Sequence, residues 1–280
     1  MTGETTTSHA PGLVAAPRGT PVALGGGAII GALGGLIGLG GAEFRLPLLI
    51  GAFRFAALQA VIVNKAMSLV VVASALPFRA AAVPFGDVAA NWPIIANLLA
   101  GSLLGAWFGA GWATRLASQT LYRIIAVLLL VIAVVLVLGH DTAASGAMLT
   151  GAPLTGAPQM VAGIAAGFAI GIVAALMGVA GGELLIPTLV LLFGADIKLA
   201  GSLSLAVSLP TMLVGFVRYS RDRSFVVLSE NLRFVLVMAA GSVVGSFIGG
   251  QLLGLVPNAV LLPLLAVILS LSAVKVWKHR

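Results

Sequence analysis

The chain contains no cysteine. Disulfides, thiolate metal sites and cysteine nucleophiles are therefore excluded. Charge is almost as scarce. Only 8% of the 280 residues are Asp, Glu, Lys or Arg, against roughly 25% in an ordinary soluble domain. So few charges cannot cover a water-facing surface. The three histidines, His9, His140 and His279, are scattered along the chain and make no metal-ligand spacing. No Ser/His or metal-ligand constellation suits an intramembrane hydrolase, so no enzyme and no cofactor is expected.

What is present in quantity is apolar sequence, 60% of the chain. It falls into runs near 22–39, 44–53, 56–77, 92–113, 121–139, 160–180, 184–194, 198–217, 232–254 and 258–276. Most can span about 30 Å of hydrocarbon as helices. The composition predicts an all-α polytopic membrane protein in a lipid bilayer. The pieces at 44–53 and 184–194 are too short for a plain span, and read as re-entrant, interfacial or half of a broken helix. The net charge of +7 reads as Lys and Arg gathered in cytoplasmic loops rather than as a nucleic-acid surface. Residues 1–20 are polar and rich in Thr, Ala and Pro. They read as a disordered tail, not as a cleaved signal peptide.

The chain says one thing twice. Gly38-Leu39-Gly40-Gly41-Ala42-Glu43-Phe44-Arg45-Leu46-Pro47 returns as Gly178-Val179-Ala180-Gly181-Gly182-Glu183-Leu184-Leu185-Ile186-Pro187, a shift of 140 residues (178 − 38). The same register, without gaps, matches Ser68-Leu69 to Ser208-Leu209. It also matches the ladder Gly101, Gly105, Gly109 to Gly241, Gly245, Gly249. The expected organisation is a tail at 1–20, a transmembrane repeat at 21–139, an extracytoplasmic linker at 140–159 and a second transmembrane repeat at 160–280. Arg115 and Arg123 flank one short connection of the first half, whereas Arg218, Arg221, Arg223 and Arg233 surround a connection one span earlier in the second. The positive-inside rule then turns matching segments to opposite sides of the membrane, an inverted repeat with both termini cytoplasmic.

Each motif sets glycines, a carboxylate and a proline inside apolar sequence, where an unpaired backbone group or charge costs several kcal/mol. Broken backbone is tolerated only where protein or a cavity surrounds it. Gly40-Gly41 and Gly181-Gly182 permit a break, and Pro47 and Pro187 are expected just inside the short helices that follow, where a missing N–H matters least. Freed amides at such a helix N-terminus attract an anion; a purely structural kink remains the other reading. Backbone amides of Gly40, Gly41, Ala42, Gly181 and Gly182 are the candidate anion cradle. An inverted repeat brings Glu43 and Glu183 together. Burial and like charge both favour the protonated acid, which suits proton coupling or gating; capping of the freed amides is the alternative. Lys65 and Asn64 lie mid-way along an apolar stretch, and Ser204 is the repeat counterpart of Asn64. These three are candidate substrate ligands, with Lys65 also open to pairing with Glu43. Arg45 and Arg54 flank the first short piece and either add positive potential or anchor it at the interface. The glycine ladders read as helix-packing faces.

The doubled G-x-x-G-[AG]-E-x-x-x-P and the run Phe193-Gly194-Ala195-Asp196-Ile197-Lys198-Leu199-Ala200-Gly201-Ser202 resemble the TauE/SafE family of sulfite and organosulfonate permeases over about residues 22–276. The resemblance implies a small bacterial inner-membrane protein with a duplicated body that passes sulfite, sulfoacetate or related sulfur oxyanions. Read with the residues, it gives a secondary transporter of a small anion working by alternating access, with protons as a possible coupling ion and a homodimer as a possible assembly. A channel-like or assembly-helper membrane protein without a substrate cycle is the alternative.

Overall fold

The protein was analysed as a computed structural model that describes residues 20–37, 41–79, 83–144, 155–251, 267, 270–271 and 273–278. Regular structure among the described residues is helical throughout. The order is α1 (Thr20–Ile37), α2 (Ala42–Gly51), α3 (Ala57–Arg79), α4 (Phe85–Ala90), α5 (Trp92–Ala113), α6 (Ser118–Ala144), α7 (Ala157–Met177), α8 (Gly182–Phe193), α9 (Ile197–Tyr219), a 3₁₀ turn (Arg223–Val226), α10 (Val227–Glu230) and α11 (Leu232–Gln251). Five of these helices contain stretches long and apolar enough to cross a membrane: Ala57–Ala75, Trp92–Ala113, Ala157–Met177, Leu199–Tyr219 and Leu232–Gly249. The protein is thus a polytopic membrane protein. α6 and α7 run into the expected linker from either side, to Ala144 and from Ala157.

Helix is the outcome that hydrocarbon imposes, since every backbone group must be satisfied within its own segment. Local signals set the ends. Pro93 and Pro158 sit in the first turns of α5 and α7, where no intrahelical N–H is required. The Asp222 side chain accepts from Ser224 N at 2.8 Å and starts the 3₁₀ turn. The shift of 140 residues carries the bounds of α3 onto those of α9, and the pair α1–α2 onto α7–α8.

Small residues fix the packing. Gly27 lies against the Met238 backbone and Gly31 against Ser242, while Gly241, Gly245 and Gly249 meet Leu24, Ala28 and Ala32. Residue numbers rise together, so α1 and α11 run parallel at backbone contact. α5 and α7 repeat this, with Gly101, Gly105 and Gly109 against Ile164, Phe168 and Ile172. The two seams are one seam under the shift, exchanged between halves, as in an isologous contact. Between them lie α3, packed on α2, α9 and α11, and its counterpart α9, packed on α8, α3 and α5.

Two opposite ends of the bundle can be told apart. One gathers the loop before α3, the α5–α6 turn, the end of α9, the start of α11 and residues 275–277. There Phe234 stacks on Phe53 and Phe55 (4.8 and 5.6 Å), and Arg218 and Arg221 lie over the Trp107 ring at 5.5 and 5.1 Å. Arg123 lies 6.0 Å from the Trp277 ring. The other end joins the starts of α5 and α7 to the end of α8, through Asn97 Nδ2 to Met160 O (3.0 Å) and Gln159 Nε2 to Leu192 O (2.7 Å).

The seams predict an unequal response to one change. Gly105→Leu drives a side chain into the Phe168 carbonyl and is expected to cost about 1–3 kcal/mol or more. Gly86→Leu, at a glycine with open space around it, is expected to leave thermal unfolding in detergent unchanged.

Candidate functional site

The chain doubles back at each Gly-rich motif. Gly41 packs on the Ile30 carbonyl and Leu48 on Gly26, so α2 returns alongside α1. Likewise Gly181 lies against Ile170 and Ala174, and Phe193 against Gly163. Gly41 and Gly181 are the N-caps of α2 and α8, with φ of 71° and 80°. This left-handed geometry is strained for any residue with a Cβ. The first intrahelical bond of α2 runs from Arg45 N to Gly41 O (3.2 Å), which leaves the amides of Ala42, Glu43 and Phe44 without an intrahelical carbonyl. In α8, Leu184 N and Leu185 N both reach Gly181 O, leaving Gly182 and Glu183. Gly40 lies outside the described residues.

Side chains from the two central helices bind these breaks together. Asn64 Nδ2 donates to Ala42 O (3.0 Å) and to Met177 O (3.2 Å), joining the start of α2 to the end of α7. Lys65 Nζ donates to Ala174 O (3.0 Å) and Tyr219 Oη to Ala175 O (2.9 Å). The end of α7 is closed further by Gly178 N to Ala175 O and Val179 N to Ala174 O (both 3.1 Å), a Schellman motif around the left-handed Gly178. A lysine here also meets the negative end of the α7 dipole. Ser208 Oγ donates to Ala180 O (2.8 Å) and fastens α9 to the second break.

Between the breaks, the Glu43 carboxyl faces that of Glu183 closely enough for direct interaction. The two residues are 0% and 3% exposed, and none of their four carboxyl oxygens has a hydrogen-bond partner of ordinary geometry. Arg45, also fully buried, lies near enough to Glu43 for their charges to interact. The junction thus gathers buried carboxyl, guanidine and amine side chains at the tips of two helices, closed off from solvent.

The sequence reading is met unevenly. Gly41, Ala42, Glu43, Asn64, Lys65, Gly181, Gly182 and Glu183 come together at this junction. Ser204 instead bonds the Gly201 carbonyl of its own helix (2.9 Å), the common fate of a helical serine. Pro47 and Pro187 are each the sixth residue of their helix, deeper than a first-turn proline. Each removes the donor that the carbonyl of Glu43 or Glu183 would take in an unbroken helix. Arg45 does not anchor an interface; it is core. Exposed Arg54, with φ 59°, keeps the peripheral role. Ser208, which the sequence offers only as one of several serines able to donate to an oxyanion, and Tyr219 turn out to be ligands of the second break. The spacing of Ser208 from the motif carried a faint signal, and Tyr219 none.

These bonds carry a stability prediction. Asn64→Leu removes two buried hydrogen bonds and strands two carbonyls, a loss of about 1–3 kcal/mol. Tyr219→Phe is expected to cost about 1 kcal/mol and Ser204→Ala nothing measurable, all read from thermal unfolding of the purified protein in detergent.

No curated protein and no solved structure matches the chain significantly. The model of one family, Sulfite exporter TauE/SafE, matches residues 22–276. The match takes in both breaks, all five apolar spans and the central pair α3 and α9. The chain belongs to the sulfite exporter TauE/SafE family of membrane transport proteins.

Proposed function

We propose that this protein is a secondary transporter that carries a small sulfur oxyanion or organosulfonate, such as sulfite or sulfoacetate, across the bacterial inner membrane by alternating access. The observation that carries the reading is the convergence of two helix N-termini on one buried polar junction. Amides of Gly41, Ala42, Gly181 and Gly182 form the anion cradle, with Gly40 assigned to it from its place in the motif. Lys65 and Asn64 tune it from α3. Ser204 contributes only after releasing the Gly201 carbonyl. Glu43 and Glu183 act as proton-coupling or gating groups, and Pro47 and Pro187 keep the short helices broken.

Helix directions support an inverted repeat. α3 and α11 leave the end of the bundle that holds Trp107 and Phe234, whereas α5 and α9 arrive there. α1 runs with α11, and α7 with α5. These directions support a reading in which matching helices of the two halves point opposite ways. Arg54, Arg115, Arg123, Arg218, Arg221, Arg223, Arg233 and Lys275 lie at or near that one end, which supports a cytoplasmic assignment for it and for both termini. Each doubled-back pair, α1–α2 and α7–α8, then approaches the junction from its own side of the membrane, the arrangement expected of a carrier that opens alternately.

Counterflow of labelled sulfite or sulfoacetate in proteoliposomes tests the proposal. Saturable exchange is expected from the native chain, and none from Gly181→Leu, which fills the second cradle while the protein still inserts. Gly194→Ala, at a left-handed glycine with free space around it, introduces comparable backbone strain away from the junction and should exchange normally. Full exchange by the Gly181 variant would sink the cradle. The orientation has its own check, made simple by the absence of native cysteine. A cysteine at Arg221 should react with an impermeant thiol reagent from the cytoplasmic side only, and one at Asp87 from the outside only.

A further inference from the structure

Arg218 and Arg221 stand where α9 ends. Both guanidiniums lie over one indole, that of Trp107 on α5, at 5.5 and 5.1 Å from the ring centroid, within cation–π range. One turn further along the same face of α5 is Gly111. A Cβ there would stand 3.2 Å from both Nε and Nη2 of Arg218, so the missing side chain lets that guanidinium lie against the helix. Among the described residues, neither guanidinium has a hydrogen bond or a carboxylate partner. Asp222, the one carboxylate between Arg218 and Ser229, turns Oδ1 to Ser224 N. Arg115 and Arg223 add two more positive charges to this end.

Depth decides what these groups can meet. The α5 span ends at Ala113 and the α9 span at Tyr219. Trp107 lies about a turn and a half before that end, on the order of 9 Å towards the middle of the bilayer. An arginine at the end of a span ordinarily extends outward to water. These two are drawn inward along α5 instead, to the boundary of headgroups and acyl chains. Exposed apolar side chains occupy the turns around them, Leu104 and Phe108 on α5 and Leu213 and Val217 on α9. The acceptor present at that depth is lipid phosphate, which suits the planar fork of arginine. The geometry points to a binding site for the phosphodiester group of an anionic phospholipid, with Arg218 and Arg221 as donors and Trp107 as the platform that holds them. A lipid of net negative charge, such as phosphatidylglycerol, fits better than phosphatidylcholine, whose own ammonium group the guanidiniums repel. The fold does not demand the cluster. Under the shift of 140 residues, Trp107, Gly111, Arg218 and Arg221 correspond to Phe247, Gln251, Phe78 and Ala81, so the other half has no cation at any of these four places.

Tryptophan quenching by phospholipids with brominated tails tests this, because bromine quenches an indole only near contact and Trp107 is 37% exposed. The full chain carrying Trp92→Phe, Trp112→Phe and Trp277→Phe leaves Trp107 as the reporter. In mixed vesicles, brominated phosphatidylglycerol is expected to bind beside Trp107 about tenfold more tightly than brominated phosphatidylcholine. Arg218→Gln/Arg221→Gln should bring that ratio below about twofold. Arg223→Gln, which removes an exposed charge from the same end, should keep it, and excess glycerol phosphate in the buffer should leave it unchanged. Equal binding of the two lipids, or a preference that survives in the double variant, overturns the site. A preference lost equally in Arg223→Gln overturns it too, by showing a diffuse field instead. Displacement by glycerol phosphate overturns lipid as the occupant. Native mass spectrometry of the chain with all its tryptophans reads the same site independently. Phosphatidylglycerol adducts should persist where phosphatidylcholine adducts do not, and Arg218→Gln/Arg221→Gln should retain one lipid fewer. No difference between the lipids, or between the chains, overturns the site whatever the folding of the tryptophan variant.

Discussion

Everything in this fold answers to one constraint: inside hydrocarbon a backbone N–H or C=O must find a partner within the protein. An unbroken helix meets the constraint by itself. This chain breaks the rule twice, at Gly41 and Gly181, and two central helices make good the loss. Asn64, Lys65, Tyr219 and Ser208 spend their polar atoms on the carbonyls of Ala42, Ala174, Ala175, Met177 and Ala180. The Schellman bonds at Gly178 supply donors from the chain itself. The result gathers polar and ionisable side chains, Glu43, Arg45, Asn64, Lys65 and Glu183, at one buried place.

Close packing makes that concentration affordable in entropy and geometry alike. The glycine seams between α1 and α11 and between α5 and α7 bring backbones into contact, so whole helices behave as stiff pairs. Each pair joins one helix from each half. A doubled-back arm such as α1–α2 is thus held on its outer flank by the opposite half through α11, and at its tip by Asn64 of its own half. Exchange of partners between halves ties the two breaks into a single mechanical object rather than two separate sites.

Much of this could be read from the chain, and particular residues explain where reading stopped. The ungapped shift between Gly38–Pro47 and Gly178–Pro187 announced two equivalent breaks, because lipid punishes glycine, carboxylate and proline together unless something surrounds them. The glycine ladders announced their seams through four-residue spacing. Burial excludes only the interface role for Arg45; charge near the end of a short apolar piece usually seeks the interface, and nothing local reveals that α2 turns inward. Ser204 turns its hydroxyl to the Gly201 carbonyl of its own helix, because repeat equivalence with Asn64 says where a residue stands, not where its hydroxyl points. Tyr219 was invisible because its acceptor, Ala175, is a backbone oxygen on another helix, and backbone oxygens leave no trace in sequence.

The fastening of the second break has a consequence for kinetics. Lys65 and Tyr219 have Leu205 and Arg79 as their counterparts under the shift, so neither bond has a like-for-like equivalent at the first break. Halves that share a backbone plan but differ in their latches do not release with equal ease. Under the alternating access proposed above, the inward- and outward-facing forms would differ in free energy, and the protein would rest facing one side. Michaelis constants measured from the two faces of the bilayer would differ accordingly, while the ion and solute gradients alone still set the direction of net flow.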